Sequence, residues 1–219
     1  MKKTIDRITE YWNERDLGLY FSINVILLFV AYNAYIGLRQ KAIWNGSISV
    51  YYILLSVIKI VGFSEYKISQ KSNRRYSLKV FVIIGILTLF ITVVMIVPAV
   101  LMIEHQRKVT LSIVFGITVA TFTTYKVVVA IKNCVGLKNK DGLFERKTVT
   151  VNLVSALISV LTLQNTLISV NGGETDEKMI TLSIVTSIAT LIAMSVITAV
   201  SLAKGIKSEK IQKQSTELS

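Results

Sequence analysis

Two lysines stand inside otherwise apolar segments, and in this 219-residue chain they are the side chains best placed to do chemistry. Lys59 closes the run Tyr51-Tyr52-Ile-Leu-Leu-Ser-Val-Ile58, and Lys126 follows Thr123-Thr124-Tyr125. An ammonium at the centre of a membrane helix costs roughly 2.5–3.5 kcal/mol on insertion scales, so each position needs a reason. One reason is snorkelling, because a lysine stem reaches most of the roughly 10 Å to the nearer interface. The other is a cationic pocket between helices, open to the cytoplasm and suited to an anionic solute or headgroup. A polar lining for such a pocket is also present. Asn152, Ser155, Ser159, Thr162 and Thr166 recur in steps of three and four, which places them on one helix face. Lys59, Tyr125, Lys126, Asn152, Ser155, Ser159 and Gln164 are therefore the candidate site residues. The small Ser155-xxx-Ser159 pair and a stripe of Ser183, Ser187, Thr190, Thr198 and Ser201 fit close helix packing equally well.

Other chemistries lack their residues. Cys134 is the single cysteine and His105 the single histidine, so neither an intrachain disulfide nor a histidine-based zinc site is expected. His105 reads as a solvated turn residue beside Glu104. No Walker loop, serine elbow or CxxC pair occurs, and no catalytic residue, metal or cofactor is assigned. All thirteen carboxylates lie outside the apolar segments, which argues against cation-coupled transport through a buried acid.

The elements that must position these residues follow from composition. With 52% hydrophobic residues, 17% charged residues and a mean hydropathy of +0.58, the chain is built for lipid. Six apolar segments lie at 18–37, 47–64, 80–103, 109–131, 148–170 and 179–202, each close to the length that crosses the hydrocarbon as a helix. The expected fold is an all-α, polytopic bundle of six transmembrane helices in a single domain, 1–219. Lys and Arg alternate sharply between connections. Eighteen fall in the N-terminal arm, the loops after the second and fourth segments and the tail; five fall in the opposite loops. This bias puts both termini in the cytoplasm. It also accounts for most of the +12 net charge, so nucleic acid is not expected as a partner. Tyr35, Trp44, Tyr51 and Tyr52 are expected in the outer interfacial belt, and Pro98 is expected to bend the third helix.

Tyr52, Ile58 and Lys59 recur at the same spacing as Tyr125, Ile131 and Lys132, 73 residues on, and Ile206-Lys207 ends the sixth segment. Three parallel hairpin repeats would give this pattern, as would the positive-inside rule alone.

The Tyr51–Lys59 run, Tyr125-Lys126-x-x-x-Ala130-Ile131-x-Asn133 and Asn152-x-x-x-Ala156-x-x-Ser159-x-x-x-Leu163-Gln164 resemble an uncharacterised family of small six-span bacterial integral membrane proteins. The resemblance implies that topology and a bacterial inner membrane, and it carries over no binding or catalytic residue. The expected function is a small permease-like or lipid-interacting protein. Its expected partners are membrane lipids, with anionic headgroups on the cytoplasmic side; a homo-oligomer or a larger membrane complex is also open. The rival is an accessory subunit or immunity-type protein, such as a substrate-binding subunit of an energy-coupling transporter. Ala31 and Ala34 do not match the small-residue spacing that such subunits use on their first span. A membrane enzyme comes last.

Overall fold

The computed structural model describes residues 21–39, 41, 43–72, 77–96, 112–137, 142–170 and 177–217; the side chains of 137, 177–180 and 208–217 are excluded. Among the described residues the regular structure is helical: α1 (Phe21–Arg39), α2 (Ile43–Lys71), α3 (Leu78–Val94), α4 (Ile113–Leu137), α5 (Leu143–Val170) and α6 (Glu177–Glu217). Five of them are long and apolar enough to cross a membrane, and α3, at 17 residues, is a shorter apolar helix. Regular α3 stops at Val94. Met95 follows in a turn, its N–H still donating to the Ile91 carbonyl at 3.1 Å, and Ile96 is helical again. Pro98, Glu104 and His105 lie outside the described residues.

α5 is central. It packs against α4, α6, α2 and α3, while α3 also packs against α2 and α6. α1 joins the bundle through aromatic contacts. Phe29 stacks on Phe122 of α4 with centroids 3.8 Å apart, and Tyr52 of α2 meets both rings edge-on at 5.4 Å. This cluster buries all three rings where α1, α2 and α4 meet.

Polar residues are accommodated in two ways. Thr88, Thr92, Thr162, Thr166, Ser169 and Thr198 each donate a hydroxyl to the carbonyl four residues earlier, so they need no partner helix. Others bond between helices. Asn45 donates to Asn33 at 3.1 Å across α1 and α2, Ser183 to Asn165 at 2.8 Å and Thr150 to Ser201 at 2.6 Å across α5 and α6. The hydroxyl stripe expected on the sixth segment thus serves packing at Ser183, Ser187, Thr198 and Ser201. The outward faces are apolar, with Leu28, Phe90, Val114 and Ile192 all exposed as lipid-facing positions would be.

Two tyrosines depart from expectation. Tyr51 and Tyr52 are fully enclosed in the core, not placed in an outer belt. α2 starts at Ile43, so both sit more than two turns inside it.

Candidate functional site

A cavity of about 550 Å³ opens between α1, α2, α4 and α5. Its charged lining is Lys59 from α2, Lys132 from α4, and Lys147 and Glu145 from α5. Ser22, Tyr125, Asn133, Thr148 and Asn152 add uncharged polar groups, and Phe21, Phe63 and Phe144 give aromatic walls. On α4 the lining residues Tyr125, Val129, Lys132 and Gly136 follow helical steps of four, three and four. The adjoining stripe of Val128, Ile131 and Val135 is exposed and apolar. The cavity rim therefore runs directly into the outer apolar surface of α4.

Lys147 is the residue that sequence reasoning missed. It appeared to be part of the loop's basic signal, yet α5 begins at Leu143 and Lys147 is only 5% exposed. It extends the buried stripe Val151, Val154, Ile158 back by one turn, and that continuity is the signal that points to it. Its ammonium lies 3.5 Å from the Ile58 carbonyl and 5.9 Å from the Phe144 ring. Space for it comes from Gly62 on α2, where a β-carbon would collide with Nζ.

Lys126 faces the bundle at 3% exposure, so snorkelling does not describe it. Its ammonium sits 5.1 Å from the Phe122 centroid and 5.6 Å from that of Tyr52, a cation–π arrangement on two faces of the aromatic cluster. It has no hydrogen-bond partner among the described residues. Lys59 and Lys147 line the cavity, whereas Lys126 is enclosed beside the aromatic cluster.

The other candidates divide. Lys59, Tyr125 and Asn152 meet on the cavity wall. Tyr125 turns its ring to Phe21, edge-on at 6.1 Å, and not to Lys126, because consecutive helix residues point about 100° apart. Ser155 and Ser159 lie behind the cavity in the core: the Ser155 carbonyl accepts from Tyr52 at 3.3 Å, and that of Ser159 from Thr123 at 2.9 Å. Gln164 is half-buried further along α5, away from the cavity. Lys59 and Lys132, the pair at the 73-residue offset, both line the cavity, whereas Tyr52 is core and Tyr125 is at the wall. No group of three or more His, Cys, Asp or Glu side chains able to hold a metal occurs among the described residues.

With primary ammonium groups, amides and hydroxyls around an apolar hollow, the site is equipped to hold an anion and to orient an apolar body beside it. No family model, curated protein or solved structure matches the chain.

Proposed function

We propose that this chain is a six-span protein of a bacterial plasma membrane, with both termini in the cytoplasm, acting as a small permease-like or lipid-interacting protein. α3 supplies the sixth crossing; its 17 residues are at the short end of what spans the hydrocarbon. Its function is to receive an anionic headgroup or solute in the cavity between α1, α2, α4 and α5. One observation carries this reading: Lys59, Lys132 and Lys147 converge from three helices on one hollow, where Glu145 is the one carboxylate among the described lining residues. Such a concentration of like charge is unfavourable when empty and is relieved by an anion. The cavity opens toward the cytoplasm, since it lies at the ends of α2, α4 and α5 that carry the basic connections.

An accessory role is the second reading, favoured by α6. Its 41 residues make a helix roughly 60 Å long, about twice the hydrocarbon thickness. The surplus, which carries the exposed Lys204 and Lys207, is a surface for a soluble or membrane partner. Purification from native membranes at native expression level separates the two. An isolated chain with a bound anionic amphiphile or solute supports the cavity reading, whereas a stoichiometric protein partner and an empty cavity support the accessory one. Reporters at Met1, Ser72, Asn139 and Ser219 should read cytoplasmic, and those at Asn45, His105 and Gly173 external.

A further inference from the structure

The ligand's class follows from the charge and the shape of the cavity, given the anion-binding reading above. Among the described residues the charged lining is three lysines and one glutamate, a formal surplus of two positive charges. A phosphodiester or a carboxylate carries one negative charge, and a phosphomonoester approaches two at neutral pH because its second pKa is about 6. The hollow, at about 550 Å³, has the volume of a site for a drug-sized molecule, much more than an inorganic ion needs. Beside these charges and the uncharged polar groups, Phe21, Phe63, Phe144, Val129 and Val149 give it an apolar and aromatic wall. The rim is open: a β-carbon at Gly136 would meet nothing within 4 Å, and Phe21 is both a lining residue and 62% exposed. An apolar tail therefore has a route from the cavity along Val128, Ile131 and Val135 into the bilayer.

We propose that the site binds a phosphomonoester, with its phosphate among Lys59, Lys132 and Lys147 and an attached acyl or isoprenoid-like tail leaving past Gly136 on α4. Lys147 is the central ligand. Its ammonium sits in the notch left by Gly62, 3.5 Å from the Ile58 carbonyl at the cavity wall, and its flexible stem lets it turn from that carbonyl to a phosphate oxygen. Tyr125 and Asn152 add hydrogen-bond donors at the wall.

The test is native mass spectrometry of the full chain in detergent with three probes: dioleoyl phosphatidic acid, dioleoyl phosphatidylglycerol and glycerol 3-phosphate. The monoester lipid should bind at least about tenfold more tightly than the diester lipid, and glycerol 3-phosphate should compete weakly. Lys147→Gln should remove the preference between the two lipids, and Lys59→Gln should weaken it if the first variant folds poorly. Gly136→Phe fills open space on an exposed helix position, so it should keep the melting temperature and block both lipids. Equal affinity for the two lipids would overturn the phosphomonoester assignment and leave the anionic cavity standing. Glycerol 3-phosphate competing as well as the lipid would overturn the tail and make the ligand a soluble phosphate ester. Failure of all three probes to bind would overturn the inference and remove the anion-binding reading with it.

Discussion

The ammonium of Lys147 occupies the space that a β-carbon on Gly62 would need, so α2 and α5 fit together through the absence of one side chain. The neighbouring atom is the far end of a flexible stem, which moves at little cost, and not backbone. Gly62→Ala should therefore change thermal stability by less than about 1 kcal/mol, below the usual range for overpacking a core. It should nonetheless displace Nζ from the Ile58 carbonyl and weaken anion binding several-fold. A melting curve and a binding isotherm on the same sample check both halves. A large loss of stability with intact binding would show that the notch serves packing alone.

The α1–α2 hairpin provides the opposite case. A β-carbon on Gly37 would stand 2.8 Å from the Gly46 nitrogen and 3.0 Å from its Cα, and this backbone has little freedom to retreat. Gly37→Ala should destabilise by about 1–3 kcal/mol, the ordinary cost of overpacking. Gly46→Ala meets open space and should be neutral or stabilise by about 0.5–1 kcal/mol through helix propensity. Detergent melting of the two variants side by side measures the difference.

Lys126 is enclosed, faces two aromatic rings and has no hydrogen-bond partner among the described residues. Removing a buried, unpaired charge relieves desolvation, so Lys126→Met should melt at or above the wild-type temperature. It should also weaken anion binding by roughly two- to fivefold, through the loss of a nearby positive charge and not of a contact. Lys126→Glu should bind worse still, because it reverses the local potential. A marked drop in the melting temperature of Lys126→Met would mean that the cation–π contacts dominate.

Much of this was legible in the sequence. Uninterrupted apolar runs define the helices because the backbone in lipid must bond within itself, and the three–four stepping of Asn152 through Thr166 gave the buried face of α5. Of the candidates, Lys59, Tyr125 and Asn152 line one cavity, whereas Lys126 is enclosed in the aromatic cluster. Lys147 was hidden because a basic residue beside an apolar run has the same appearance whether it flanks the membrane or lies in a notch made by another helix. The direction of Lys126 was hidden for a related reason. Periodicity tells which residues of a helix share a face, but the partners of that face, here Tyr52 and Phe122, come from other helices. Tyr51 and Tyr52 looked interfacial because a tyrosine near a helix end is amphipathic in either place.

The central claim is that Lys59 and Lys147 together hold an anionic ligand in the cavity between α1, α2, α4 and α5. The most direct measurement extracts wild type and the Lys59→Gln/Lys147→Gln variant from the same membranes and quantifies the anionic amphiphile that stays bound through size exclusion. Wild type should retain it, and the variant should lose it while eluting at the same position. Equal retention by the two proteins would contradict the account.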